Sequence, residues 1–130
     1  QGRPMDMNRP APTLPASMGG NRTPIVDQET LETGAKQWVE TYHDSLMDGG
    51  EVATTIPGRL RRITVQEAAA IQSFPKDMPW HGSPSSRYRQ IGNAVPPRMA
   101  FAVASSVAAA LGYEIDTDVT ILDRIARSQG

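Results

Sequence analysis

The apolar positions of this chain change their spacing along its length, and those changes divide it. Through residue 24 no period is sustained, and Pro4, Pro10, Pro12, Pro15 and Pro24 with the pair Gly19-Gly20 predict extended or looped backbone. Residues 13–17 and 23–26 are the stretches able to form short strands, the first only at a sheet edge because of its proline. Leu31, Ala35, Trp38, Val39, Tyr42 and Leu46 then recur at helical spacing and predict a helix over residues 30–47, stopped by Gly49-Gly50. Residues 50–61 lose the period and read as a flexible basic connector.

The next apolar run has a defined start. Thr64 followed by Glu67 is a capping box, in which hydroxyl and carboxylate each satisfy an orphan backbone donor, and Pro75 is expected to end that helix. Residues 75–92, with Pro75, Pro79, Pro84, Gly82 and Gly92, are expected to form a loop. Pro97 suits the first turn of a helix, along which Met99, Val103, Val107 and Leu111 repeat every fourth residue until Gly112. The alanines between them allow close packing on both sides. A short final helix is predicted over residues 118–128, with Val119, Leu122, Ile125 and Ala126 on one face.

Composition narrows the function classes. The 130 residues suit one small domain, and 38% hydrophobic with 5% aromatic residues is a lean supply for an independent core. The absence of cysteine excludes disulfides, thiolate metal sites and cysteine nucleophiles within the chain. No apolar run has membrane-spanning length and no secretory signal pattern opens the sequence, so an intracellular, cytoplasmic protein is expected. The net charge of −1 is unevenly distributed: −4 over residues 1–51, +5 over 52–112 and −2 over 113–130. A basic middle fits contact with phosphate, though a solvated basic face has the same pattern.

Few residues offer chemistry. In Gly92-Asn93-Ala94 the glycine permits close backbone approach, the asparagine brings a donor and an acceptor, and a helix start beyond it exposes backbone N–H groups. That arrangement can cradle an anionic ligand; it can equally be a capping turn in which Asn93 bonds its own backbone. Arg59, Arg61 and Arg62 can grip phosphates or support packing. Trp80 and His81 can stack on a base or simply line the surface. Neither His43 nor His81 has a neighbour that would orient it for catalysis, and the carboxylates show no metal-site spacing; Glu67 is accounted for as a capping residue.

Two stretches in order carry a family resemblance. Arg62-x-Thr64-x-x-Glu67-x-x-x-Ile71-Gln72-x-Phe74-Pro75 resembles the ninth conserved motif of the cytosine-5 DNA methyltransferases, and Gln90-x-Gly92-Asn93-Ala94-Val95-Pro96-Pro97 resembles the tenth. Upstream, Arg9-Pro10-Ala11-Pro12-Thr13-Leu14 with Gly19-Gly20 is similar to the end of that family's target-recognition region. The motifs with the nucleophilic cysteine, the ring-protonating glutamate and the glycine-rich cofactor loop have no counterpart here. The chain is therefore expected to be a carboxyl-terminal part, either a fragment or one subunit of a split enzyme, and a start at Gln1 leans toward the fragment.

The resemblance implies an α+β, mostly helical piece: the end of the small DNA-recognition domain, then a helix completing a Rossmann-like S-adenosylmethionine-dependent domain. Residues 1–28 would be the end of the recognition region, 29–50 a helical insertion, 51–80 the ninth-motif region, 81–112 the tenth-motif loop and helix, and 113–130 a tail helix. In such enzymes a cysteine attacks C6 of a flipped cytosine and the methyl group passes to C5. Carried over, Gly92, Asn93 and Ala94 would lie against the cofactor and Thr13 would contact DNA; Arg59 and Arg61 are expected DNA contacts on their charge. Arg62, Thr64 and Glu67 would be structural. The implied partners are DNA, the portion holding the catalytic motifs and, for the chain in isolation, a second copy of itself. The implied setting is a bacterial or phage restriction-modification enzyme; the rival is a non-catalytic DNA-binding or assembly module.

Overall fold

The computed structural model describes residues 4–6 and 8–114, so the helix expected at 118–128 lies outside the described residues. Strand β1 (Ile25–Asp27) pairs antiparallel with β2 (Leu60–Arg62), with Val26 opposite Arg61. Pro4 adds an isolated parallel bridge to Ile25. Helices α1 (Gln28–Thr33) and α2 (Trp38–Met47) fill the excursion between the strands. Helices α3 (Val65–Ile71), α4 (Pro84–Asn93) and α5 (Pro97–Ala110) follow. The described residues are thus α+β and mostly helical, with a two-stranded sheet.

The helix expected over 30–47 is two helices. Gly34 takes a left-handed conformation (φ 71°) that ends α1, and its N–H donates to the Thr30 carbonyl. The break is held by Asp27, whose carboxylate is almost wholly buried. Its Oδ1 accepts from the Glu29 N–H (3.2 Å) at the start of α1, and its Oδ2 from the Trp38 N–H (2.9 Å) at the start of α2. One side chain therefore caps two helices. Beside it Gln37, also buried, donates through Nε2 to the Met5 carbonyl at 2.7 Å and ties the amino-terminal segment down.

The connector expected over 50–61 ends as β2, a strand without its own sequence signal, because Leu60–Arg62 alternates only over three residues. Residues 13–17 form no strand. The capping box of α3 forms as expected, with Thr64 Oγ accepting from the Glu67 N–H and the Glu67 carboxylate accepting from the Thr64 N–H. Its end comes earlier than Pro75: Ser73 adopts φ 62°, its N–H donates to the Ala70 carbonyl, and the Phe74 N–H donates to Ala69. That is a Schellman-type cap with serine where glycine is usual.

The largest correction concerns residues 75–92. Residues 84–93 are the helix α4, started by Ser83, whose Oγ accepts from the Ser86 N–H, and by Pro84 in the first turn. Proline breaks a helix interior but is preformed for its start. Ile91 of α4 is fully buried, and the Tyr88 hydroxyl donates to the Ile63 carbonyl at 2.6 Å, fastening α4 to the end of β2. The core is Met5, Leu14, Met18, Val26, Ile63, Ala68, Ala69 and Ile91, with Val65, Phe74, Trp80 and Tyr88 against it. Helix α5 buries none of its residues; Met99, Val103, Val107 and Leu111 are each more than half exposed.

Candidate functional site

The amino-terminal segment and α4 meet along a seam of close backbone contacts. Residues 15–23 form two consecutive turns, with the Met18 N–H donating to Pro15 and the Thr23 N–H to Gly20. Buried Thr23 locks the second turn, its hydroxyl donating to the Gly20 carbonyl and accepting from the Gly19 N–H. A side chain on Gly92 would bring its Cβ to 2.7 Å from the backbone of Pro15 and Ala16, and one on Gly19 would strike the Cα of Ser85 at 2.8 Å. Ser85 Oγ donates to the Gly19 carbonyl at 3.3 Å. These two glycines allow helix and loop to touch.

Ser85, Arg89 and Asn93 recur every fourth residue and so share one face of α4. With residues 16–20 they line a cleft of about 530 Å³. The side chains of Arg89 and Asn93 are exposed, and neither has a hydrogen-bond or ion-pair partner among the described residues. The expected glycine-asparagine turn is therefore a helix end: Gly92 and Asn93 are the last two residues of α4, and Ala94 caps it with its N–H donating to Ile91. Asn93 does not bond its own backbone, which removes the capping-turn alternative and leaves its amide available. Residues 94–96 then run extended into α5, with Val95 exposed.

The arginine cluster divides by partner. Arg59 Nε lies 3.3 Å from Asp27 Oδ1, a charge contact outside hydrogen-bond geometry, and its Nη1 pairs with Glu29. Arg61 makes a two-pronged pair with Glu67 at 2.9 and 2.8 Å, and its Nε donates to Gln28 at 2.7 Å. Hydrogen bonding from Arg61, reinforced by the Thr64 backbone and hydroxyl, pulls the Glu67 carboxyl down to about 2. Arg62 is exposed on the other side of the strand, and its guanidinium has no partner among the described residues. Thr13 is exposed between half-buried Pro12 and buried Leu14.

Several roles entertained from sequence resolve structurally. Trp80 meets Phe74 edge-to-face at 5.0 Å against the core, so its ring supports the loop before α4. His81 is exposed, and its carbonyl accepts from Gln90 Nε2. His43 is exposed beside Asp44. Sequence reading overlooked Arg89 and Ser85; the signal that could have found them is the period of four from Ser85 to Asn93, which a loop assignment hides. No group of three or more His, Asp or Glu that could hold a metal exists among the described residues. A second groove, of about 350 Å³ and mostly apolar, runs between Met5, Leu31, Ile63 and Ile71.

Comparison with known proteins agrees with the family resemblance. The family model for C-5 cytosine-specific DNA methylases matches residues 8–109. The type II methyltransferase M.AplI of Arthrospira platensis is 58% identical over 50 residues, 38% of this chain and 14% of its own length. M.Eco47II of Escherichia coli is 49% identical over 51 residues, 39% of this chain and 12% of that protein. M.AgeI of Thalassovita gelatinovora is 30% identical over 118 residues, 84% of this chain and 28% of that enzyme. The chain thus spans under a third of the length of these relatives. No solved structure matches significantly.

Proposed function

This chain belongs to the C-5 cytosine-specific DNA methylase family, and from that premise we propose that it supplies the carboxyl-terminal motifs of a DNA (cytosine-5) methyltransferase. The observation that carries the reading is the match over residues 8–109, and the close packing of Gly92 on residues 15–16 supports it. The chain has no cysteine, so the nucleophile that adds to C6 of the cytosine must come from a portion of the enzyme outside these residues. Alone, the chain is expected to transfer no methyl group.

Asn93 is the side chain here best suited to S-adenosylmethionine. Its exposed amide brings a donor and an acceptor, which match the carboxylate and ammonium of an amino acid. Gly92 fits less directly, because the space its missing side chain leaves is filled by the Pro15–Ala16 backbone. Its contribution is to hold α4 so that Asn93 and Ala94 face outward. When bound, the cofactor supplies the methyl group; the residues of this chain bind and orient. Thr13 and Arg62 are the proposed DNA contacts, while Arg59 and Arg61 support them by fixing β2 and α3 through Asp27, Glu29 and Glu67. The type II relatives favour a restriction-modification setting in a bacterial cytoplasm; no described helix is long and apolar enough to cross a membrane.

The stripe Met99, Val103, Val107 and Leu111 is proposed to pack on the cofactor domain formed by the rest of the enzyme, with α5 completing its Rossmann-like layer. The test is to mix this chain with a complementary portion carrying the remaining motifs and to follow labelled methyl transfer from S-adenosylmethionine to duplex DNA. Transfer by the mixture and by neither part supports the reading. A mixture that binds DNA yet never methylates it favours the non-catalytic module.

A further inference from the structure

We propose that the cleft between α4 and the loop 16–20 grips one phosphodiester of the DNA backbone, with Arg89 as the gripping cation. This inference rests on the reading of the chain as part of a DNA methyltransferase. The cleft is lined by Ala16, Ser17, Met18, Gly19, Gly20, Ser85, Arg89 and Asn93, a set without a carboxylate. Arg22 stands at its rim, 3.4 Å from the Ser17 hydroxyl, and adds a second positive charge. Arg59 and Arg61 are committed to carboxylates inside the fold, whereas Arg89 has no partner among the described residues. An anion entering the cleft displaces no internal ion pair.

The lining also selects among anions. No aromatic side chain borders the cleft, and its one large apolar residue, Met18, is buried. A nucleobase or an adenosyl group would find nothing to stack on. A sugar–phosphate segment needs only a cation and a neutral donor, which the Arg89 fork and the exposed Ser17 hydroxyl provide. The position is held from both sides. Thr23 fixes the Gly19-Gly20 turn, and α4 is pinned beneath Arg89 by buried Ile91 and by the Tyr88–Ile63 bond. Loop and helix therefore present the charge as one rigid unit, so that Arg89 would set the path of one strand relative to the recognition end.

The experiment is fluorescence anisotropy of a labelled short DNA duplex titrated with the full chain at several salt concentrations, for the parent, Arg89→Gln, Arg89→Lys and Lys36→Gln. One lost phosphate contact lowers the slope of log affinity against log salt by about one unit and weakens low-salt binding by about three- to tenfold. Arg89→Gln is expected to show both losses, Arg89→Lys to restore most of the slope, and Lys36→Gln, on the acidic excursion, to match the parent. Arg89 is exposed, so the thermal melts of all four proteins should coincide. A parent that binds duplex with a salt slope that Arg89→Gln leaves unchanged overturns the inference and spares the DNA reading. A parent that binds no duplex overturns the inference, and the mixing assay above decides the DNA methyltransferase reading. If Arg89→Gln weakens S-adenosylmethionine in calorimetric titration while its salt slope holds, the anion is the cofactor carboxylate and the phosphate assignment fails.

Discussion

Individual side chains here carry more than one duty, which makes their substitution informative. Glu67 closes the capping box of α3 and receives both prongs of Arg61, so its carboxyl titrates at about 2 against a usual 4.5. The folded state then binds fewer protons than the unfolded chain between those values. The stabilisation is complete above pH 4.5 and is lost as pH falls toward 2. Because the pair is over a third exposed, solvent screening reduces its worth to about 1 kcal/mol. Acid titration followed by circular dichroism should show Glu67→Gln less stable at pH 7 and converging on the parent near pH 2. Asn93 makes the opposite kind of case, a side chain without structural work among the described residues. In the reconstituted enzyme Asn93→Ala should weaken S-adenosylmethionine by about five- to a hundredfold, the equivalent of about 1–3 kcal/mol for one lost buried bond. DNA affinity should hold. Arg62→Ala should do the reverse, and calorimetric titration of each ligand separates the two.

Secondary-structure elements are joined by a few buried polar residues and glycine contacts, because the apolar supply is small. Asp27 links β1, α1 and α2 at once, through two backbone caps and the charge of Arg59. Asp27→Ala removes both caps and leaves that guanidinium beside a void, at a cost of about 2–4 kcal/mol. Asp27→Asn keeps one accepting oxygen and sets its NH2 against the other backbone N–H, so it should recover less than half of that loss in urea unfolding. Should the two variants prove equally unstable, one retained cap contributes little without the second cap and the charge contact. Helix α4 depends on the Tyr88–Ile63 bond and on the missing side chain of Gly92, both invisible when the stretch is taken as a loop. Helix α5 is different. It is tied at its first turn, where the Arg98 N–H donates to Ser73 Oγ at 3.2 Å, and its apolar stripe then runs out without cover among the described residues.

That stripe governs how the whole molecule behaves. Four apolar side chains repeating along one exposed helix form a surface that a monomer leaves wet, so the isolated chain should self-associate. Sedimentation velocity should show a weight-average mass rising with concentration for the parent and a constant monomer mass for Val103→Glu with Val107→Lys. The same double change should abolish complementation while leaving the thermal melt of the remaining core intact, since neither side chain is buried. The sequence alone determined the absence of cysteine, and it determined the α3 capping box and the extent of α5 because both are properties of residues a few positions apart. Local chemistry could not settle where 30–47 breaks, that 84–93 is a helix, or that β2 exists. A buried carboxylate from β1, a tyrosine reaching β2 and a strand partner thirty-odd residues away decide those, and only the folded chain brings them together. The same holds for the cleft. Arg89 becomes an exposed cation over a fixed glycine turn only once α4 lies on residues 15–20, because its surroundings are made by tertiary contact and not by its neighbours in sequence.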